Sequence, residues 1–160
     1  MAFLEVSVGK MRQGLDTVAR RIVIGIGSRL EFRSPVGNPK LWSSLGWYQE
    51  ALTAKGTARK HKTMKSQRAA PAGYVGGAFR RNWQHGFGAA PTGILEGTGN
   101  VAGAEIRASV NSSPAGGVHY IANNLPYAMA LENGHSTQAP QGMVGLTALE
   151  FPQIARQAQE

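Results

Sequence analysis

The stretch Leu131-Glu-Asn-Gly-His-Ser-Thr-Gln-Ala-Pro-Gln-Gly-Met143 sets an acid, a base and a hydroxyl, Glu132, His135 and Ser136, within five residues. Those are the groups with which a hydrolase activates a nucleophile. A working triad needs the two nitrogens of its base to face different partners at hydrogen-bond range, and such partners are usually brought together from distant segments. Adjacent His and Ser rarely meet that demand. No G-x-S-x-G turn occurs, and Ser136 runs on into Thr-Gln-Ala-Pro. The expectation is a loop that needs these residue types for its shape, with no catalytic residues.

Two other patterns invite chemistry and fail a similar test. Gly97-Thr-Gly99-Asn-Val-Ala-Gly103 is similar to a dinucleotide fingerprint, but its third glycine comes one residue late. The run after it alternates like a strand, where a Rossmann turn needs a helix; a flexible hairpin or loop is expected. His61, His85, His119 and His135 form no pair at a metal-ligand spacing, no carboxylates cluster with them, and cysteine is absent. No metal and no cofactor follow from such a set. His119, next to Tyr120, reads as a satisfied histidine of a strand.

The elements that must position these residues come from periodicity. Leu15, Val18, Ile22, Ile26 and Leu30 recur every three or four residues, with Arg20, Arg21, Arg29 and Arg33 largely off that stripe. This predicts a long amphipathic helix over about 10–33, ended by Ser34-Pro35. Residues 74–88 carry Tyr74, Phe79, Trp83 and Phe87 on a short helix or a strand. Ala104, Ile106, Ala108 and Val110 alternate with polar residues and predict a half-buried strand, paired through a Pro-Ala-Gly-Gly turn with a second strand holding Val118, Tyr120 and Ala122. Asn124 is placed to cap a helix over about 126–133 that Gly134 stops. Pro152 should kink or divide the last apolar segment, 143–158. The sum is an α+β domain, helices on a small antiparallel sheet.

A chain of 160 residues suits one domain with one core, and its 21 Gly and 8 Pro imply long loops or an extended arm. The net charge of +8 is uneven: residues 1–48 carry +4, residues 49–90 carry +7 and residues 91–160 carry −3. Lys55, Arg59, Lys60, Lys62, Lys65 and Arg68 lie in a run without acids, within an inserted basic arm at about 43–72. Such an arm is a solvated loop, a dock for an acidic protein surface, or a contact for nucleic-acid phosphate. It has no interleaved aromatic residues for stacking on single-stranded bases. Neither a signal-peptide core nor a membrane-length apolar run is present, so no membrane contact is expected and the cytoplasm is the expected place of synthesis and use.

Three segments, taken together and in order, resemble the neck or tail-completion family of tailed bacteriophages, small proteins that join the head connector to the tail. RLEFRSPVGNPKLW (29–42) is similar to a helix running into S-P-V-x-T/N-x; GYVGGAFRRNW (73–83) is a Gly-rich turn leading to an aromatic, a basic residue and N-W; NNLPYAMALENGHSTQAPQGMV (123–144) matches L-P-Y-A-x-x-L-E-x-G-x-S-x-Q-A-P-x-G-M-V. The resemblance implies a non-enzymatic virion protein with a long N-terminal helix on a sheet. It implies a homo-oligomeric ring, six- or twelve-fold, around the DNA channel, adjoining the head connector and the tail-tube or tail-terminator proteins. The insertion at 43–72 and Pro152 depart from the family's pattern.

On that resemblance the assembly surface would draw on the aromatic residues Trp42, Tyr74, Phe79 and Trp83, and on Pro126, Tyr127, Leu131, Glu132, Gly134, Gln138, Pro140 and Gly142. The six cations of the arm would meet an acidic neighbour or DNA in the channel. A nucleic-acid-binding domain, with the arm as its footprint, is the alternative reading.

Overall fold

The computed structural model describes residues 2–37, 76–98 and 101–160, the first of these, 2–10, by backbone alone. The chain divides into two compact units, Met1–Pro35 with Gly77–Glu160, and Val36–Gly76. Most of the second lies outside the described residues, and with it Trp42, Tyr74, His61, the 43–72 insertion and its six cations.

Helix α1, Ala2–Arg33, runs from before the expected start to the expected stop. Two glycines that weaken it as an isolated helix explain how it sits in the fold. A Cβ on Gly27 would stand 3.0 Å from Ile106 Cγ2, and one on Gly25 3.0 Å from Ile154 Cγ2. The Ile24-Gly25-Ile26-Gly27 run therefore trades helix propensity for close approach by two other helices.

After α1 come α2 (Ala78–Arg81), β1 (Trp83–Phe87), α3 (Ala102–Ser112), β2 (His119–Asn123), α4 (Ala128–Glu132), α5 (Val144–Leu149) and α6 (Phe151–Gln157). The strands form an antiparallel pair with Trp83 opposite Asn123 and Phe87 opposite His119. The fold is α+β, as expected: a long N-terminal helix and shorter C-terminal ones around a two-stranded sheet. The described part of that segment, 76–88, contributes both of the forms left open, a turn of helix and then a strand. Pro152 falls in the first turn of α6 and divides the last segment at Glu150.

The strand expected over 104–110 is a helix. Ala102, Ile106 and Val110 are its buried residues, one every four, while Ala104 and Ala108 face solvent. Every second and every fourth residue coincide at Ile106 and Val110, and the alanines between them are strong helix formers. The partner of β2 is therefore β1. Its faces are also reversed: Ile121 packs against the core and Tyr120 is exposed. Gly97 stands ahead of α3 and Gly103 inside it, while the preceding strand, β1, ends at Phe87. Nor does Asn124 cap a helix: its amide donates to the carbonyls of Pro91 and Gly93 (2.8 and 3.0 Å), and α4 starts later, at Ala128.

Leu30, Phe79, Trp83, Ala102, Ile106, Val110, Ala139 and Met143 form the core, so the helix end, the aromatic segment and the C-terminal loop all contribute to it. The arginines off the stripe of α1 tie other helices to it. Arg20 donates to the Val110 carbonyl and Arg21 to that of Ala158 (3.2 Å), at the C-terminal ends of α3 and α6, where a cation is favoured. Arg29 Nε lies 3.0 Å from Glu150 Oε2, and Arg33 binds the other oxygen of that carboxylate and Thr147 Oγ1. Hydrogen bonds from Arg33 hold the Glu150 carboxyl below its ordinary range against the upward push of burial, with further help from Arg29. Among the described residues no helix is long and apolar enough to cross a membrane.

Candidate assembly site

The segment that first suggested a triad is built around one carboxylate. Glu132, the last residue of α4, turns toward the start of α5 and accepts the backbone N–H groups of Met143 (2.8 Å), Val144 (2.9 Å) and Gly145 (2.9 Å). It supplies from a distance the cap that α5 lacks, since the Met143 side chain has no oxygen with which to bond those donors. Burial pushes the Glu132 carboxyl up, but the hydrogen bonds from Val144, Gly145 and Met143 outweigh it and hold the carboxyl below the ordinary value of 4.5. The group is committed to the backbone as an anion.

The glycines on either side make that reach possible. Gly134 (φ +81°) ends α4 with its N–H on the Leu131 carbonyl, while the His135 N–H returns to Ala130, a paired C-terminal closure that needs a left-handed residue. A Cβ on Gly134 would lie 2.5 Å from the Pro140 oxygen; one on Gly142 (φ +74°) would lie 2.4 Å from the Glu132 carbonyl oxygen and 2.7 Å from its Oε1. Ser136 Oγ accepts the Gln138 N–H (3.2 Å), and its carbonyl accepts the Ala139 N–H (3.0 Å). Ala139 and Met143 then plug the core, Met143 at 1% exposure. Glu132, His135 and Ser136 are neighbours without forming a relay: the acid holds a helix and the hydroxyl shapes a turn.

The three segments that carried the resemblance meet beside this loop. Ser34 Oγ donates to the Leu30 carbonyl (2.7 Å), accepts Trp83 Nε1–H (2.7 Å) and stands 3.7 Å from Met143 Sδ. Arg80 of the second segment donates to the Ser34 carbonyl (3.0 Å). Asn82, 1% exposed, is fully used: its amide nitrogen donates to the carbonyls of Ala78 and Leu95 and its oxygen accepts the Leu95 N–H. The R-R-N-W tetrapeptide thus joins the end of α1 to the 91–95 connection.

Of the aromatic candidates, Trp83 and Phe79 are core residues, edge to face with centroids 5.9 Å apart. Tyr127 packs on Phe79 yet keeps 44% of its surface exposed, and Pro126, Gln138 and Pro140 are exposed as well. Leu131 is half-buried against the core. Gln138, Pro140 and Gly142 join Phe32, Arg33 and Arg80 around an open cleft of about 320 Å³. A second, apolar groove of about 420 Å³ lies between α1 and the C-terminal helices, lined by Ile26, Leu30, Val144, Thr147, Ala148 and Phe151. Phe32, at 84% exposure, and Leu149, at 80%, are the most exposed large apolar side chains among the described residues, and neither belongs to the expected assembly surface.

Comparison with protein-family models, with curated proteins and with solved structures finds no match to this chain.

One cluster was illegible in the sequence. His85 on β1 and His119 on β2 lie two positions apart across the sheet, and His85 Nε2 is 2.9 Å from His119 Nδ1. His85 Nδ1 meets Ser109 Oγ of α3 at 2.8 Å, and His119 Nε2 meets the Ala115 carbonyl at 3.2 Å. A serine beside a histidine pair suggests a nucleophile. Ser109, however, is in the interior of α3, where neighbouring backbone N–H groups are spent on the helix and none is left to hold an oxyanion. Among the described residues no three His, Asp or Glu side chains gather as a metal site.

Proposed function

We propose that this chain is a neck or tail-completion protein of a tailed bacteriophage, a structural component of the virion whose copies close into a ring between head connector and tail, around the channel through which DNA passes. The observation that carries the reading is spatial. Segments 29–42, 73–83 and 123–144, far apart in the chain, supply Ser34, Trp83 and Met143 to one buried junction. The resemblance thus falls on residues that specify a single arrangement, rather than on three unrelated surface loops. A ring also needs two unlike surfaces that fit each other head to tail. The exposed Met11 and Leu15 of α1 and the apolar groove beside Phe151 are two unlike apolar surfaces on one unit, and the ring we propose would bring one of them onto the other in the next copy.

The test is the oligomeric state of the full chain, by native mass spectrometry and negative-stain electron microscopy, alongside duplex-DNA binding across a salt series. Closed rings, and the chain's presence in the neck of the intact particle, are expected. A monomer that binds duplex DNA with a log–log salt slope of roughly −5, as six neutralised phosphates would give, overturns the reading in favour of a nucleic-acid-binding domain.

A further inference from the structure

The histidine pair of the sheet has an unusual property, one of proton capacity. The Ala115 carbonyl can only accept, so His119 carries its proton on Nε2 and offers Nδ1 as an acceptor. His85 must then carry Nε2–H, and its Nδ1 accepts the Ser109 hydroxyl proton. With both rings neutral, every polar atom is satisfied in one direction: Ser109 to His85, His85 to His119, His119 to Ala115.

A metal ion does not suit this gap. The ring centroids are 5.2 Å apart, the nitrogens 2.9 Å apart and the rings tilted by 28°, so the two nitrogens meet nearly head-on, along the line of centres. An ion held at about 2.0–2.1 Å from each would need a head-on gap of roughly 4 Å. The gap fits a proton.

We propose that His85 and His119 are a proton-counting latch, which stays shut with no added proton or with one and is forced open by the second. One added proton is accommodated by rotation. It settles on His85 Nδ1, the Ser109 hydroxyl turns to become acceptor, and the bond between the rings persists; the His85 Nε2 proton can then cross to His119 Nδ1, which leaves the same three protons on the pair with the inter-ring bond reversed. A second proton has no such place. Both facing nitrogens would carry N–H, and two cations would stand at hydrogen-bond distance in a partly buried site.

Among the described residues no other charge relieves the pair. β1 and β2 bring no other charged side chain, and Tyr120 is turned outward. On α3, Glu105 is taken by Arg81 and Arg107 is exposed, while Arg20 of α1 is bound to the Val110 carbonyl. Desolvation, and then the charge of His119, hold His85 below its ordinary value of 6.5, in keeping with the scheme. The latch contribution is therefore whole above the ordinary histidine range and drains as the pH falls through the lowered one.

What the latch secures is the turn between α3 and β2. His119 binds its Ala115, and Gly117 (φ +121°) presses so close to Phe87 that a Cβ would come within 2.8 Å of the ring. Phe87 in turn meets His119 edge to face at 5.1 Å. Opening frees that turn and the end of the sheet without touching the Ser34–Trp83–Met143 junction.

The experiment is a pH titration of the full chain by imidazole ¹⁵N NMR, with amide exchange followed over 115–119. Both rings are expected to shift together as the first proton is taken up and shared. The second uptake should follow at least about one pH unit lower, as for strongly coupled groups. Amide exchange in the turn should rise at least roughly tenfold only with that second step. Ser109→Ala removes the acceptor for the first proton, and should lower the first step while leaving the pair bonded near neutrality. Two independent titrations at ordinary histidine values, or a turn that opens with the first proton, would overturn the proposal. The wild-type titration decides this even if the variant fails to fold.

Discussion

Replacing Glu132 by alanine tests the clamp on which the C-terminal loop depends. The carboxylate accepts three backbone N–H groups, at 2.8, 2.9 and 2.9 Å. Val144 and Gly145 are exposed, so water takes over their donors, but Met143 is buried and its N–H would be left without a partner. An unmet buried donor costs about 1–3 kcal/mol, and the lost helix cap about 1 kcal/mol more, for a total of about 2–4 kcal/mol. Glu132→Gln keeps one acceptor oxygen and should lose roughly half of that. The assay is urea unfolding followed by far-ultraviolet circular dichroism. The pH gives an internal control. Because the folded carboxyl titrates below the ordinary 4.5, its contribution is present above that value and is lost as the pH falls through the lowered one. The gap between wild type and Glu132→Ala should therefore be full near neutrality and shrink as the pH falls below the ordinary carboxylate value. A gap under about 0.5 kcal/mol near neutrality, or one that stays constant on acidification, would refute the clamp.

Further substitutions test the packing that surrounds it. Gly27→Val should destabilise by about 1–3 kcal/mol, because even a Cβ meets Ile106 Cγ2 at 3.0 Å, whereas Gly14→Ala, with nothing within 4 Å, should be neutral or stabilise by up to about 1 kcal/mol in the same urea unfolding assay. Gly134→Ala combines a left-handed φ of +81° with a backbone contact of 2.5 Å and should cost more than Gly116→Ala, which meets nothing; denaturant midpoints compare the two. A double-mutant cycle of Ser34→Ala and Trp83→Phe should return a coupling of about 1 kcal/mol, since each single change breaks the same 2.7 Å bond; strict additivity would sink that assignment.

What the sequence made legible was set by how local the cause is. The span of α1, its stop at Ser34-Pro35 and the break at Pro152 depend on apolar spacing and on proline, and both act within a turn of helix. The helix over 102–112 was misread because Ile106 and Val110 satisfy a period of two and a period of four together, and the room for a helix there depends on Gly27, seventy-five residues before Ala102. The pairing of His85 with His119 followed from a sheet partner that the misread strand had occupied. The arginines of α1 read as a solvent face, yet four of them reach carbonyls or a carboxylate on distant helices. Long, flexible side chains leave no periodic mark of where they end.

The loop at 131–143 bears on how the proposed assembly should be tested. Its most distinctive residues have internal work: Glu132 caps α5, Gly134 and Gly142 permit close backbone approach, Ser136 forms a turn, and Ala139 and Met143 fill the core. A substitution at any of these would disturb a ring by deforming the subunit, so loss of assembly there says nothing about a contact. The informative positions are those the fold leaves outside. Phe32→Ser and Leu149→Ser each alter a side chain at least 80% exposed, and should leave the unfolding midpoint within about 0.5 kcal/mol of wild type. If either face lies between subunits, native mass spectrometry will show its variant shifted to monomer while the fold is intact. Rings unaffected by both substitutions would remove these two faces from the contact and leave Met11, Leu15 and the groove beside Phe151, with Tyr127 and Pro140, as the surfaces to alter next.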